Sequence, residues 1–362
     1  MKLLKFVYLI FIISTIFLST SFAQSSQDTQ IEEAEITKVS YLESTIENQV
    51  SKIINIEAKG LSGSIKNKNI SFSQSLVASV DQNIYKSGDQ VYLSVINENG
   101  NIHYGISDFI RKDNQLILFT IFFIVLLLIG GFKGLRSLIG LIVSLMIIIF
   151  FILPNILNGV DPLFISLVGA SIILFPTVYL VHGLNRKSTI AITGAIISLI
   201  IAAILSVIFS QTGKITGVGN DDALYLLLGG NTKIKAQGLF IAAIIIGTLG
   251  VLIDMTVGQS SAISEIHSAN PTLTRKQLYL SVMNVGRDHI GLLVNTLFLT
   301  YAGASLPILI SFTQSKQSIL YNLSQESTAM EIIRSVIGSL ALILAVPITT
   351  IIGVYSIKKT RD

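Results

Sequence analysis

Seven long apolar segments fill the C-terminal two thirds of the chain and constrain its fold more than any other feature. Each contains about 20 residues, the length that an α-helix needs to cross the hydrocarbon core of a bilayer. The segments run over about 114–132, 138–157, 163–183, 189–209, 236–254, 290–312 and 333–356. The links at 133–137, 158–162 and 184–188 are so short that the segments on either side are predicted to form antiparallel hairpins. The sequence therefore predicts a polytopic α-helical membrane protein with about seven transmembrane helices.

The first 23 residues have the pattern of a secretory signal peptide. Lys2 and Lys5 precede an apolar run over 6–18, and Ser21 and Ala23 are small residues at the positions that a signal peptidase requires. The alternative is an uncleaved N-terminal anchor helix. Under either interpretation, the residues that follow are expected outside the cytoplasmic membrane.

Charged residues separate a soluble region from the membrane region. The whole chain is 13% charged, against roughly 25% for an ordinary soluble domain. Residues 24–113 nevertheless contain 12 acidic and 8 basic residues. Within them, Val91, Leu93 and Val95 alternate with more polar neighbours, which is typical of a half-buried strand. We expect a linker over 24–37, a small extracytoplasmic β-rich domain over 38–113, the seven-helix domain over 114–357 and a cytoplasmic tail over 358–362.

The distribution of Lys and Arg among the loops predicts the orientation. With residue 113 outside, ten basic residues fall in the inner loops and five in the outer loops. Cytoplasmic loops carry the excess of positive charge, and this result agrees with the independent prediction of a signal peptide. We therefore predict a multi-pass protein of the cytoplasmic membrane, with residues 24–113 outside and the C-terminus in the cytoplasm.

Two apolar segments carry small residues at helical spacing. Gly194, Ser198, Ala202 and Ser206 recur every four residues in the fourth segment. The fifth segment has a similar series of Ala243, Gly247 and Gly250. Because helices in lipid associate through close packing, both series are predicted to lie at helix interfaces.

Polar residues form a stripe at the end of the fifth segment and another around the start of the sixth. Each stripe has offsets of 0, 4, 7 and 11, which places its members on one helix face. The first contains Asp254, Gly258, Ser261 and Glu265, and the second contains Asn284, Asp288, Gly291 and Asn295. Gln259, Ser260 and Arg287 lie beside them. Ionisable groups inside a membrane are costly and mark ion paths or paired sites, so we predict a shared polar site at the cytosolic side of the two helices.

Simpler explanations exist for individual members of this site. Asp254 follows about 17 apolar residues and could mark a helix end among the lipid headgroups. Arg287 could be an ordinary positive-inside anchor, and Asn295 could form a single interhelical hydrogen bond. The link between the stripes has its own signals: Asn270-Pro271 ends a helix, and Thr274-Arg275-Lys276-Gln277 predicts a capping box that opens a separate helix.

These residues resemble the signature of a known family. The segment from Gly250 to Glu265, GVLIDMTVGQSSAISE, and the segment from Asn284 to Pro307, which begins NVGRDHI, are similar to the motifs of the YibE/F family of multi-pass bacterial membrane proteins. The resemblance covers about 114–355. It implies a polytopic inner-membrane protein with an outside domain, and transport is the activity usually assumed for the family.

Other chemistry is largely excluded by the sequence. The chain has no Cys, which removes disulfides, thiolate nucleophiles and Cys-ligated metals. The zincin, P-loop and nucleophile-elbow motifs do not occur, and the four histidines lack the spacing of metal ligands. Basic patches interleaved with aromatics, which nucleic-acid binding requires, are also missing. We therefore expect no enzyme activity, cofactor, metal or nucleic-acid partner.

Three hypotheses remain for the function. The first is a secondary transporter or permease for a small polar solute or ion, driven by a gradient or by a partner ATPase. The second is a non-catalytic envelope scaffold or sensor whose outside domain docks an envelope protein partner. The third, an integral-membrane enzyme, has no recognisable nucleophile. The partners expected are thus the lipid bilayer, a small solute or ion, and an envelope protein.

Overall fold

The computed structural model describes residues 29–46, 49–76, 84–98, 101–219, 225 and 234–357. The chain divides into two compact units, Met1–Phe122 and Phe123–Asp362. The predicted signal peptide and cytoplasmic tail lie outside the described residues.

The first unit is built on one antiparallel sheet of five strands. The strands are β1 (Thr29–Ile46), β2 (Gln49–Gly60), β3 (Asn69–Leu76), β4 (Gln90–Glu98) and β5 (Asn101–Phe109). Their order across the sheet is β3-β2-β1-β4-β5. The sheet curls until its edges approach, because the Ile106 N–H on β5 donates to Oε1 of Gln74 on β3 at 2.8 Å. The result is a half-barrel, which confirms the predicted β-rich region.

The inward residues of the half-barrel alternate as the sequence predicts. Val91 and Leu93 on β4 are fully buried. β1 begins at Thr29, within the predicted linker over 24–37, and Ala34 and Ile36 point into the core. The inward position before them is Glu32, which is 5% exposed. This charged residue interrupts the apolar alternation and explains why the strand is difficult to recognise from the sequence.

The second unit is helical. Its elements are α1 (Lys112–Ile147), which begins in the first unit, a π-helical turn (Ile148–Ile152), α2 (Leu153–Leu157), α3 (Pro162–His182), α4 (Arg186–Thr212), α5 (Ala236–Ala269), α6 (Arg275–Ala304), α7 (Leu306–Gln314), α8 (Ile319–Ser324) and α9 (Glu326–Ser356). Among the described residues, five helices are long and apolar enough to cross a membrane, and a sixth is added if α6 and α7, bent by 65°, form one span. This count supports a membrane protein but does not reach the seven predicted spans.

The difference in number comes from the segment 112–157, which counts as one continuous helical stretch. Gly131 breaks this stretch with φ 52° and ψ −136°, a backbone conformation that residues other than glycine rarely adopt. A β-carbon at Gly134 would lie 2.5 Å from the Leu126 carbonyl oxygen. In an unbroken helix these residues would be about 12 Å apart along the axis. The chain therefore turns sharply at Gly131, close to the predicted link at 133–137.

The core of the helical unit lies where α4, α5 and α9 meet. Gly194, Ser198, Ala202 and Ser206 are all buried on α4, as predicted from their spacing. Gly194 packs directly against Thr349 of α9. The corresponding prediction for α5 holds only at Gly247, where a β-carbon would lie 2.9 Å from the Tyr301 hydroxyl oxygen; Ala243, Gly247 and Gly250 are not among the buried residues of the helix. The buried side of α5 instead presents large residues, including Ile244, Ile245 and Leu252.

Candidate functional site

The helices α5 and α6 run side by side in opposite directions, so the two predicted stripes lie on neighbouring helices. Ile263, near the end of α5, packs with Leu278, near the start of α6. Thr274 caps α6 with the predicted capping box. The helix that this capping box opens is thus separate from α5, as predicted, and it continues without interruption to Ala304, so that it also includes the start of the sixth apolar segment. Buried apolar residues on one face of α6, among them Leu278 and Val282, hold its first turns against the core.

Gln259 is the predicted site residue that joins the helices most closely. Its side chain is fully buried, and its Nε2 donates to the Val282 carbonyl oxygen at 3.1 Å and to Thr350 Oγ1 at 2.8 Å. Gly286 makes room for it, because a β-carbon there would lie 2.9 Å from Gln259 Nε2 and 2.5 Å from Val346 Cγ1. Gln259 thus links α5, α6 and α9, and it acts as a packing element in this arrangement.

Ser260 and Ser261 face a different side of α5, where they line a cavity of about 460 Å³. The other walls come from the end of α3, the link to α4 and the first turn of α4. Ser260 is only 2% exposed, and its hydroxyl donates to the Val257 carbonyl oxygen at 3.0 Å. The lining residues are Val178, His182, Asn185, Arg186, Lys187, Ser188, Val257, Ser260 and Ser261.

The first turn of α4 is fixed by local hydrogen bonds. The Asn185 side chain caps the helix by accepting from the Ser188 N–H at 2.9 Å. The Ser188 hydroxyl donates to the Gly183 carbonyl oxygen at 2.7 Å, which holds the end of α3 beside the start of α4. The link between the two helices is therefore short and ordered, and it delivers Arg186 and Lys187 to the rim of the cavity.

Glu265 approaches this rim from α5. Its Oε1 accepts from Lys187 Nζ at 2.9 Å, with side-chain exposures of 75% for Glu265 and 40% for Lys187. An exposed pair of this kind contributes little to stability, because solvent screens it. Its effect on position is more important, because it ties the predicted stripe of α5 to α4 and not to α6.

A smaller cavity of about 130 Å³ adjoins the first and shares Arg186, Lys187 and Ser260 with it. Ser264 and His267 line its other side. The Nδ1 atom of His267 is buried and has no hydrogen-bond partner among the described residues. A buried polar atom without a partner is unusual in a folded protein.

The remaining predicted site residues lie away from these cavities, on exposed faces. Asp254 is exposed on α5. Arg287 donates from Nη1 to Asn284 Oδ1 at 3.1 Å along α6, and both are exposed. Asp288 and Asn295 are also exposed. The structure thus brings Ser260, Ser261 and Glu265 together at one location and does not bring Asp254, Asn284, Arg287, Asp288 or Asn295 into it.

Sequence reasoning missed the contribution of α3 and α4. His182, Arg186, Lys187 and Ser188 fall in or beside the predicted link at 184–188, where the two basic residues were counted only as topology signals. The available signal was Asn185 followed three residues later by Ser188 at the start of an apolar run, which marks a helix N-terminus with two cations in its first turn. In the part of the chain described by the structure, no group of three or more His, Asp or Glu residues could hold a metal ion.

A family model described as YibE/F-like protein matches residues 118–359. The chain belongs to the YibE/F family. The match contains the whole of the cavity and both predicted stripes, so these features lie within the family region. No curated protein and no solved structure matches the chain.

Proposed function

We propose that this YibE/F protein is a secondary transporter or permease for a small polar solute or ion, and that the cavity beside Ser260 and Ser261 is its cytosolic solute site. The observation that carries the proposal is the cavity itself. Its volume of about 460 Å³ falls within the usual range for small-molecule sites, and such sites commonly lie between the helices of a bundle. Polar groups from three long helices converge on it, which a simple anchor would not require.

The proposal includes a membrane topology. We infer seven spans, with the stretch 112–157 forming two of them around Gly131 and with the α6 and α7 pair forming one. The close approach of Gly134 to Leu126 supports a reversal at this point. The positive charge of the loops supports an orientation with the half-barrel outside the cytoplasmic membrane, the α3–α4 link inside and the first 23 residues acting as a signal peptide or anchor.

Comparison of cells with and without the protein tests the proposal even though the solute is unidentified. The measurement is the cellular content of metabolites and inorganic ions. We expect at least one small polar solute or ion to change severalfold. The solute identified is then tested for flux into liposomes that contain the purified protein.

The variant Ser261→Trp fills the cavity and is expected to abolish both the cellular change and the flux. Ile208→Trp is the matched control, because Ile208 is exposed near the other end of α4. Far-UV circular dichroism checks that both variants fold. The proposal is rejected if no solute changes, or if Ser261→Trp behaves like the control.

Removal of residues 24–110 separates this proposal from the scaffold hypothesis. A transporter with its site between the helices should keep liposome flux without the half-barrel. A scaffold that docks an envelope protein partner should lose all function.

A further inference from the structure

We infer that the cavity between α3, α4 and α5 binds an oxyanion of the phosphate type. This inference names the class of ligand that the proposed solute site would take. That the anion crosses the membrane rests on the proposed function. Binding itself depends on the groups that line the cavity.

The charge of the lining favours an anion. Arg186 and Lys187 are the charged residues that line the cavity, and no Asp or Glu is among its lining residues. Lys187 is paired with Glu265 outside the cavity. Arg186 forms no ion pair among the described residues, and its only described hydrogen bond is a long one of 3.5 Å from Nη1 to the Ser356 carbonyl oxygen. A planar guanidinium with free donors matches the paired oxygens of a phosphate group.

The helix end that forms one wall supplies backbone donors. The first N–H groups of an α-helix have no partner within the helix and carry its positive partial charge. In α4, the Asn185 side chain satisfies the Ser188 N–H. The N–H groups of Arg186 and Lys187 remain available, because no described bond uses them. An anion at this position would receive backbone donors together with the two cationic side chains.

His267 gives evidence that is independent of that helix end. It lines the adjoining cavity, and its buried Nδ1 has no partner among the described residues. Ser260 is shared by both cavities and is 2% exposed. A bound oxyanion would extend hydrogen-bond acceptors towards this wall, where the imidazole can act as a donor, whereas the Ser260 hydroxyl already donates to the Val257 carbonyl oxygen.

The phosphate group could belong to a free solute or to a lipid headgroup, since both present the same oxygens. The cavity volume of about 460 Å³ leaves room for more than the ion alone. A metal cation would not have this chemistry, because Arg186 would repel it.

The test is calorimetric titration of the full-length protein with inorganic phosphate at constant ionic strength. The protein is held in dodecyl maltoside micelles, which contain no phosphate, either alone or with added phosphatidylcholine, whose headgroup has no net charge. We expect saturable binding in the micelles without lipid. If phosphatidylcholine weakens it, the natural source is a headgroup, and if phosphatidylcholine has no effect, the source is a free anion. Absence of binding in the micelles without lipid overturns the inference.

Two variants with opposite expected effects make the test specific. Arg186→Gln combined with Lys187→Gln should weaken phosphate binding at least tenfold. Glu265→Gln should strengthen it severalfold, because Lys187 is then released from its carboxylate partner. The control is Arg136→Gln combined with Lys276→Gln, which removes the same charge from exposed positions outside the cavity and should change the affinity less than twofold.

Equal affinities for the first double variant and the control would overturn the inference. If that double variant does not fold, the effect of Glu265→Gln decides, and an unchanged or weaker affinity contradicts the inference. Failure of the transport proposal is distinguishable, because phosphate that binds without being moved leaves this inference intact. A cation flux without phosphate binding would support the transport proposal and overturn this inference.

Discussion

Truncation of Gln259 tests the junction that holds α5, α6 and α9 together. Gln259→Ala removes the bonds to the Val282 carbonyl oxygen and to Thr350 Oγ1. Interhelical hydrogen bonds in membranes contribute about 0.6 kcal/mol on average, and those in soluble proteins about 1 kcal/mol, so the two bonds account for about 1–2 kcal/mol. The cavity left behind adds about 1 kcal/mol. We expect the free energy of unfolding to fall by about 2–3 kcal/mol.

Gln259→Met separates the two contributions. Methionine fills nearly the same volume, and it also removes Gln259 Oε1, a buried acceptor that has no partner among the described residues. Thr350 keeps its own bond to the Val346 carbonyl oxygen at 2.7 Å, so no new donor is left unsatisfied. The loss for this variant should be about 1 kcal/mol or less.

The assay is reversible unfolding by sodium dodecyl sulfate in mixed micelles, followed by circular dichroism at 222 nm. Gln237→Ala is the matched control, because Gln237 lies on the same helix and is half-buried, and its Nε2 donates a bond to the Ile215 carbonyl oxygen. Its cost should stay near 1 kcal/mol. If Gln259→Ala and Gln237→Ala destabilise the protein equally, the assignment of Gln259 as the central contact is refuted.

Two further predictions concern packing and pH. Gly286→Ala places a β-carbon 2.5 Å from Val346 Cγ1, so it should lower the free energy of unfolding by about 1–3 kcal/mol in the same assay. Gly291 has open space around it, so Gly291→Ala should be neutral or cost about 1 kcal/mol less than Gly286→Ala. Similar losses of stability in the two variants would contradict the close packing at Gly286. In the half-barrel, burial raises the pKa of Glu32, but the N–H groups of Ile65 and Ser64 at 2.9 and 2.8 Å outweigh burial and lower it. Because the pKa of Glu32 is lower in the folded state, its contribution to stability is complete above the ordinary pKa of about 4.3 and is lost as the pH falls through the folded value. Pulse proteolysis of the half-barrel should show this loss of stability in acid for the native chain and a flatter dependence of stability on pH for Glu32→Gln. Identical pH profiles for the two proteins would exclude this role of Glu32.

Periodicity and segment length were sufficient to predict most of the fold. The strands around Val91 and the helices α3, α4 and α9 follow directly from alternating or continuous apolar residues. Prediction was less successful where one residue contradicts its element, as Glu32 does in β1. The extension of α5 past its apolar part was predictable, because the helical spacing of Asp254 to Glu265 and the Asn270-Pro271 signal place the end of the helix where the structure has it, at Ala269.

The candidate site was only partly predictable, for a physical reason. Spacing along a helix shows which residues share a face, and it placed Ser261 and Glu265 on one face of α5. It does not show which helix that face meets. The stripe of α5 meets α4 through the pair of Glu265 with Lys187, whereas Gln259, on another face, meets α6 and α9. Asp254 and Asp288 have suitable chemistry, but their faces are exposed in this chain.

Cysteine accessibility measures whether the cavity is filled with water and opens to the cytosol, as a cytosolic solute site must. The native chain has no Cys, so single cysteines can be introduced without further changes. A membrane-impermeant maleimide is applied to right-side-out and inside-out vesicles that contain Ser261→Cys. His103→Cys reports on the half-barrel, and Ile208→Cys reports on an exposed apolar position of α4. We predict labelling of position 261 only in inside-out vesicles, labelling of position 103 only in right-side-out vesicles, and none at position 208. Labelling of position 261 from the outside, or from neither side, would contradict a cytosolic cavity.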